Sequence, residues 1–446
     1  MNRIHCGTGR KFCMAASALT MLALFILIAA AALPLQAQTD AIKAEPLTTA
    51  NWLQTGYNAT HDGYNPLEKT LSTANVSGLT QTWLFQTNGE INVPTLTSGN
   101  TVYIDSSDGN LYAVNATTGK VIWTFSGTAT GYAYGGTAQG LAISGATIYV
   151  NCQIDNLGGG HAGVCAVGLT GKKAGKLLWS WAIFNDGGTG VSSGPYNGPV
   201  ISNGILVIGE ADTLSERAGY IVGLNAKTGA QLWEIGNCGD GGAGGGGAND
   251  CYAPTDYPAA VSGGLAYYGT FYPNDSTEGV CAVEITTGAT AWCSPTGDSG
   301  SPVAVSGNTA YVNTFSGTVY AFNAKTGSQL WKVTGLDVGN SYNRPAVAKG
   351  VVYVGGTYYG QQYALAGKTG KLLWTGSGTN NFSSAPSVAN GVVYAECNGT
   401  CALNASTGEL LWDSNFGGGT TSQPAVVNGT VYAVCGYNNL CAYNLP

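Results

Sequence analysis

Charged side chains are scarce in this sequence. Asp, Glu, Lys and Arg make up 9% of the 446 residues, and acidic residues outnumber basic residues by 24 to 17. Only three histidines are present. Nucleic acids and anionic membrane surfaces are bound through basic surfaces, so this balance argues against a nucleic-acid partner and against general membrane association.

Long apolar runs and apolar stripes at helical spacing are also lacking, except at the N-terminus. There, Arg3, Arg10 and Lys11 precede an apolar run that ends at Leu35 and is followed by Ala37. This pattern predicts a signal peptide over residues 1–37 and export to the periplasm or the extracellular space. Because the run is long enough to span a bilayer, an uncleaved anchor is the alternative and the one membrane contact that we expect.

The sequence has instead a repeat of about forty residues that ends in tryptophan. One copy reads AVNATTGKVIW at Ala113–Trp123, and another reads ALNASTGELLW at Ala402–Trp412. Each unit contains four strand-like segments separated by Gly or Asn turns, which is typical of a propeller blade. We expect the tryptophans of the repeat to lie on outer strands and to pack against the neighbouring blade. They are Trp83, Trp123, Trp179, Trp233, Trp292, Trp331, Trp374 and Trp412.

These repeats predict an all-β, eight-bladed propeller. After Trp412 the chain has only three more strand-like segments, so the outer strand of the last blade must come from elsewhere. The segment around Trp83 fits this role, and its pairing would close the ring without an open edge. The predicted organisation is a signal peptide (1–37), a leader segment (38–79) and a monomeric propeller (80–446).

Ten cysteines follow the signal peptide, an even number that is typical of disulfides in an exported chain. In three blades a cysteine lies three residues after an aligned Tyr, and its partner directly precedes the aligned Ala. We expect these pairs to occupy directly opposed positions on neighbouring antiparallel strands. A fourth pair would link the next two strands of one blade, and a fifth would join the ends of a glycine-rich loop. The five predicted pairs are Cys152–Cys165, Cys397–Cys401, Cys435–Cys441, Cys281–Cys293 and Cys238–Cys251.

The repeat resembles the tryptophan-docking motif of the pyrroloquinoline quinone (PQQ) propeller superfamily. The opening segment is similar to the usual start of bacterial PQQ-like repeat proteins, with Trp52, GYNPLE at Gly63–Glu68 and LSTANVS at Leu71–Ser77. The resemblance covers about residues 50–446. The superfamily includes quinoprotein alcohol dehydrogenases and the propeller lipoprotein of the outer-membrane assembly machine, so the resemblance implies an architecture rather than one activity.

The enzymes of this superfamily hold PQQ against a Trp and a ring formed by two adjacent cysteines, with Ca²⁺ bound by carboxylate and amide oxygens. This sequence has no adjacent cysteine pair, and its mature part has only two arginines, Arg217 and Arg344, for the carboxylates of PQQ. We therefore assign no catalytic residue, no metal ligand and no cofactor. PQQ and Ca²⁺ remain the cofactors of the alternative reading as a dehydrogenase.

The spacing of the tryptophans is longest in blades two to four, where the additional residues form loops on one face. Loops on a rigid scaffold are the usual place of recognition, although ordinary solvated loops are the simpler interpretation. A mixture of carboxylates and tyrosines there suits a protein, peptide, carbohydrate or cation. The candidate binding residues are Arg344, Arg217, Asp256, Asp212, Tyr257, Tyr196 and His161.

The sequence therefore predicts an exported PQQ-like propeller that acts as a binding or assembly module through the loops of blades two to four. Its partner would be a protein or carbohydrate of the cell envelope or beyond. The alternative is a PQQ- and Ca²⁺-dependent dehydrogenase that oxidises alcohols or sugars.

Overall fold

The structure is a computed structural model. It describes residues 51–91, 93–127, 140–154, 161–182, 198–212, 218–236, 259–270, 279–298, 301–338, 344–356, 361–377, 384–397, 399–416 and 422–446. In these residues the protein is almost entirely β, with two single-turn 3₁₀ helices at Val76–Gly78 and Gly171–Lys173. None of the described helices is long and apolar enough to cross a membrane.

The strands form eight blades, as the repeats predict. Each blade has four antiparallel strands, and the first strands of neighbouring blades lie side by side. The first four blades have the following strands in chain order. Blade one has Leu96–Ser98, Thr101–Ser106, Asn110–Asn115 and Val121–Ser126; blade two has Ala142–Ser144, Thr147–Ile154, His161–Gly168 and Leu177–Ala182; blade three has Val200–Ser202, Ile205–Asp212, Ala218–Asn225 and Gln231–Gly236; blade four has Ala260–Ser262, Leu265–Gly269, Gly279–Glu284 and Thr290–Pro295.

The other four blades follow the same order, and two of them include a strand from the start of the chain. Blade five has Ala304–Ser306, Thr309–Asn313, Val319–Asn323 and Gln329–Val333; blade six has Ala346–Ala348, Val351–Gly355, Gln361–Ala366 and Leu372–Ser377; blade seven has Ser387–Ala389, Val392–Glu396, Thr400–Asn404 and Leu410–Asp413, with Tyr64–Asn65 added in parallel; blade eight has Ala425–Val427, Thr430–Val434, Asn439–Asn444 and Thr80–Gln86.

Blade eight combines the two ends of the described chain. Thr80–Gln86 pairs antiparallel with Asn439–Asn444, with Leu84 opposite Cys441. The segment around Trp83 thus supplies the fourth strand of blade eight, which the chain after Trp412 lacks. That this pairing closes the ring remains our prediction.

The repeat tryptophans connect each blade to the next. Each lies on the outermost strand of its blade, and its ring reaches the following blade. Seven indole N–H groups donate to a backbone carbonyl there at 2.7–3.1 Å, which satisfies the polar atom of an otherwise apolar contact. The donor–acceptor pairs are Trp83–Ala116, Trp179–Ala226, Trp233–Ile285, Trp292–Ala324, Trp331–Gly367, Trp374–Ala405 and Trp412–Leu79.

The glycine of the repeat explains how the ring approaches so closely. In blade seven, Gly408 has a φ of +77°, and an added Cβ atom would lie 2.6 Å from Cε3 of Trp374. Only glycine combines this left-handed backbone with the absence of a side chain. The Thr-Gly step is therefore both a turn and the surface on which the preceding blade's tryptophan lies.

Four disulfides join cysteines of the described residues, and each is one of the predicted pairs. Cys281 and Cys293 are directly opposed, with Cα atoms 4.1 Å apart. The prediction of direct opposition is wrong for the other three, which join diagonal positions; for example, Val150 rather than Cys152 is opposite Cys165. Their Cα atoms are 5.7–5.8 Å apart, within the usual range for a disulfide. These three are Cys152–Cys165, Cys397–Cys401 and Cys435–Cys441. The fifth pair, Cys238–Cys251, lies outside the described residues.

Candidate functional site

The middle strands of blades two and three are longer than those of the other blades. In blade two, Thr147–Ile154 pairs with His161–Gly168, and in blade three Ile205–Asp212 pairs with Ala218–Asn225. All four strands have eight residues, whereas the equivalent strands of blade five have five. At about 3.3 Å per residue, three more residues extend a hairpin by roughly 10 Å.

Two predicted binding residues belong to these hairpins. His161 is the first residue of its strand and pairs with Ile154, while Asp212 is the last residue of its strand and pairs with Ala218. Both are therefore at the outer ends of the long hairpins. Four further candidates lie outside the described residues, namely Arg217, Asp256, Tyr257 and Tyr196.

Arg344 does not lie on the exposed loop face where we expect it. It is only 3% exposed, and its guanidinium lies against the leader segment at the centre of the propeller. The reason is its position directly before Pro345 and the first strand of blade six, because first strands line the centre. Burial lowers the pKa of Arg344 to about 10, an effect that Asp62 opposes.

The part of the leader segment at Trp52–Asn65, called the leader from here on, contacts the first strand of every blade. In seven blades the backbone N–H of the middle residue of this strand donates to the leader, and in blade eight the carbonyl of that residue accepts from Asn65 Nδ2. The pairs from blade one to blade eight are Thr97–Trp52, Ile143–Leu53, Ile201–Gln54, Val261–Ala59, Val305–Thr60, Val347–Asp62, Val388–Gly63 and Val426–Asn65, at 2.6–2.9 Å. The leader thus satisfies backbone groups that would otherwise be buried without partners.

A cluster of polar side chains lies where the leader crosses the centre. We call Gly56, His61, Asp62, Arg344 and Gln423 the central cluster. Gln423 Oε1 accepts from Arg344 Nη2 at 2.9 Å and from the backbone N–H of Gly56 at 3.1 Å. The amide group of the same side chain donates to the carbonyl of Pro386 at 2.8 Å. Gln423 therefore holds the guanidinium and the leader together.

The two titratable leader residues of this cluster are strongly affected by burial. His61 is fully buried, and burial, with the charge of Arg344 as a second cause, moves its pKa well below the usual value, so its ring is neutral. Burial also raises the pKa of Asp62 to about 6, although a hydrogen bond from the backbone of Tyr64 acts in the opposite direction. The cluster is not visible in the repeat pattern. The one signal in the sequence is that Arg344 and Gln423 each precede a proline that lies directly before a first strand.

The described residues do not fit a PQQ–Ca²⁺ site. Among them, no group of three His, Cys, Asp or Glu side chains is arranged to hold a metal ion. The partners in each observed disulfide are four to thirteen positions apart, so none forms the ring of adjacent cysteines. We derive no chemical step through this cofactor.

Fold and leader together define the class of protein as an eight-bladed propeller of the PQQ-like type. The chain belongs to the family whose model is described as outer membrane protein assembly factor BamB, which matches residues 69–183, 165–334 and 315–445. No curated protein sequence is a significant match.

The solved structures with a similar fold include two dehydrogenases and a BamB protein. Quinohemoprotein alcohol dehydrogenase from Comamonas testosteroni is 15% identical with a TM-score of 0.72, covering 91% of this chain and 82% of its own. A europium-containing methanol dehydrogenase is 15% identical with a TM-score of 0.68, covering 91% and 99%. BamB from Moraxella catarrhalis is 15% identical with a TM-score of 0.58, covering 82% and 97%. At these identities the likeness shows the fold alone.

Proposed function

We propose that this protein is an exported binding module that recognises a protein partner of the cell envelope through the loop face of blades two to four. The observation that carries the proposal is the pair of long hairpins in blades two and three, each built from two eight-residue strands. Stability does not require this length, because blades five, seven and eight form with shorter middle strands. Additional hairpin length on a uniform scaffold is what a recognition surface requires.

The rigidity of the scaffold supports the same role. In blade two the disulfide Cys152–Cys165 links the middle strands near the outer end of the hairpin. A braced hairpin loses less conformational freedom when it binds a partner, which favours affinity. The family match supports a protein rather than a carbohydrate as the partner, since the family model is described as that of an assembly factor.

Export is part of the proposal. It rests on the N-terminal pattern of residues 1–37 and is supported by the four disulfides, which persist in oxidising compartments. We expect the mature protein to act in the periplasm or outside the cell, as a monomer.

Site-specific photo-crosslinking in the source cells tests the proposed face. A photo-reactive amino acid would replace His161 or Asp212 at the ends of the long hairpins, with Lys349 as the matched control. Lys349 is exposed in the turn after the first strand of blade six, away from those hairpins. We expect discrete crosslinked proteins from positions 161 and 212 and none from position 349. Equal crosslinking from all three positions would contradict the proposal.

A hairpin exchange separates binding from folding. Gly209 pairs with Ile221 in blade three as Asn313 pairs with Val319 in blade five. Residues 314–318 can therefore replace residues 210–220 with the same strand register. We expect this variant to unfold within a few degrees of the wild type and to lose the crosslink from position 161.

The dehydrogenase alternative is tested by calorimetric titration of the disulfide-intact protein with PQQ, with and without Ca²⁺. Our proposal predicts no binding at high micromolar PQQ. Tight binding that requires Ca²⁺ would instead favour a quinoprotein, and the protein would then be assayed with alcohols and sugars and an electron-accepting dye.

A further inference from the structure

Nearly all lysines of the described residues lie in two kinds of turn. Of eleven such lysines, nine are exposed residues between the first and second or between the third and fourth strands of a blade. Lys349 is in a first-to-second turn, and the other eight are in third-to-fourth turns. The nine come from blades one, two, three, five and six: Lys120, Lys172, Lys173, Lys176, Lys227, Lys325, Lys349, Lys368 and Lys371.

The two kinds of turn form one face of the propeller. The first and third strands of an antiparallel blade run in the same direction, so both end at the same edge. In seven blades a backbone N–H of the third-to-fourth turn donates to a carbonyl of the first-to-second turn at 2.8–3.0 Å. These pairs are Ala116–Asn100, Leu169–Ala146, Ala226–Gly204, Ile285–Gly264, Ala324–Asn308, Gly367–Gly350 and Ala405–Gly391. We call this face the lysine face.

The turns of neighbouring blades are adjacent on this face. Trp374, which lies three residues after the third-to-fourth turn of blade six, packs on Gly408 in the same turn of blade seven. Trp331 packs on Gly370 in the same way, one blade earlier. The lysines of separate blades are therefore parts of one surface.

Carboxylates are scarce on the lysine face. Among the described residues, these turns and the positions beside them contain two, Glu284 and Glu409. The described loops of the opposite face contain no lysine but several acidic residues, and the arginine at that edge, Arg344, is buried. Glu90, Asp108, Asp298 and Asp337 are in these loops. The excess of acidic residues over the whole chain, which argues against membrane association, therefore conceals a basic face.

The lysine face is also the more even of the two faces. All eight first-to-second turns have two residues, and the third-to-fourth turns of blades one and three to seven have five. Turns of equal length extend equally far from the blades, whereas the hairpins of the opposite face differ in length. An even face can bring lysines of several blades to a planar surface at the same time.

Exposed apolar side chains adjoin three of these lysines. The outer strands of blades one, two and six begin directly after Lys120, Lys176 and Lys371, and the first two residues of each strand are apolar. Lysines beside exposed aliphatic side chains suit an interface that is charged outside and apolar beneath. The six side chains are 37–52% exposed: Val121, Ile122, Leu177, Leu178, Leu372 and Leu373.

We propose that the lysine face binds the surface of a bilayer that contains anionic phospholipids. The lysines contact the headgroup phosphates, and the adjoining aliphatic side chains reach the boundary of the hydrocarbon. An acidic protein would also attract the lysines, but the even surface and the exposed aliphatic side chains favour a planar lipid surface. In this orientation the loop face points away from the membrane. The membrane contact does not depend on the partner proposed for that face.

Cosedimentation with vesicles tests the contact. Native, disulfide-intact protein from the source cells would be mixed with phosphatidylcholine vesicles, with and without phosphatidylglycerol. We expect binding only to the vesicles with phosphatidylglycerol, and less binding as sodium chloride is added, because salt screens the attraction. Absence of binding would overturn the proposal. Equal binding to both kinds of vesicle would indicate insertion of the N-terminal apolar run and would also overturn it.

Two double variants identify the face that binds. Lys120→Gln with Lys371→Gln removes two positive charges from the lysine face and should weaken binding at least about tenfold. Phe315→Glu with Tyr437→Glu changes the net charge equally on the opposite face, at side chains that are 59% and 74% exposed. This control should bind as the wild type does. Equal losses in both variants, or a loss in the control alone, would overturn the proposal.

A pair of leucine variants tests the apolar part of the contact. Leu373→Ser should weaken binding to vesicles with phosphatidylglycerol, and the loss should persist at low salt, where the attraction between charges is strongest. Leu84→Ser is the control, because Leu84 is similarly exposed but lies in blade eight, where no lysine adjoins the outer strand. Equal weakening by both changes would contradict an apolar contact at the lysine face.

Light scattering without vesicles tests whether a second copy of the chain occupies the lysine face instead. We expect the mass of a monomer at low and at high ionic strength. A larger mass at low ionic strength that the double lysine variant abolishes, together with no binding to vesicles, would show that the lysine face joins the acidic face of another copy. That result would overturn the membrane contact.

Discussion

The outer and inner parts of the propeller are built on opposite plans. On the outside, one contact is repeated from blade to blade: an indole lies on the following blade's glycine and donates to its backbone, as Trp331 does to Gly367 and Trp374 to Ala405. At the centre, the same strand position in each blade meets a different leader residue, from Trp52 in blade one to Asn65 in blade eight. The outside is periodic and apolar, whereas the centre is aperiodic and polar.

This difference separates what holds the blades together from what can distinguish this protein from other propellers. A buried indole stabilises the contact between two blades through its large apolar area, and any pair of blades with the same geometry can form this contact. A leader that runs once through the centre has no such redundancy, because the first strand of each blade is bound by a different leader residue. We therefore expect binding that is specific to this protein in the parts that do not follow the repeat. These parts are the centre and the hairpins of unequal length.

Replacing an outer tryptophan by alanine should have the largest effect. Trp292 and Trp331 are both 9% exposed and make the same contact in successive blades. We expect each Trp→Ala change to lower the free energy of unfolding by about 3–5 kcal/mol, measured by denaturant titration. Leu330→Ala is the control, since Leu330 is 52% exposed and should cost less than about 1 kcal/mol. Very different values at the two tryptophans would show that the outer contacts are not equivalent.

The second prediction concerns the centre and its dependence on pH. Because burial raises the pKa of Asp62 from 3.8 to about 6, the folded state binds more protons than the unfolded state between these values. The contribution of Asp62 to stability should therefore fall as pH rises from about 4 to about 6 and stay constant above that. Its magnitude is about 2–3 kcal/mol, from the size of the shift and the partial exposure of the carboxyl.

Asp62→Asn isolates this effect from that of its neighbour. The lowered pKa of His61 acts in the opposite direction, since a neutral buried imidazole loses stability as pH falls below about 6.5. The quantity to measure is the difference in free energy of unfolding between the wild type and Asp62→Asn at several pH values. A difference that does not change between pH 4 and pH 6 would show that the centre is more hydrated than its burial indicates.

The periodic part of the molecule could be predicted from the sequence, because the same motif recurs in each blade and predicts the same arrangement of strands each time. Eight tryptophans in copies of one repeat predict eight blades, and the shared register of Cys152, Cys397 and Cys435 identifies their partners. The diagonal geometry of those three disulfides is a matter of two residues in strand register, which composition and spacing do not determine. It follows from where each hairpin turns.

The aperiodic part could not be predicted in the same way. Arg344 follows a loop in the sequence and was expected at the surface, yet a residue before a first strand faces the leader rather than solvent. His61 gives no signal as a lone histidine, and its full burial depends on contacts between the leader and blades that are hundreds of residues away in the chain. Such positions become visible only when the leader and the first strands are seen together.

The smallest predicted effect compares two glycines of similar backbone conformation. Gly408 and Gly350 have φ values of +77° and +79°, but an added Cβ meets the ring of Trp374 at Gly408 and no atom within 4 Å at Gly350. Both Gly→Ala variants should lose about 1–2 kcal/mol from the left-handed backbone. Gly408→Ala should lose about 1–2 kcal/mol more, because the methyl group displaces the indole. Equal losses in thermal unfolding would mean that the strand of Trp374 can move outward freely, and the outer contact would then be a consequence of the closed fold rather than a cause of it.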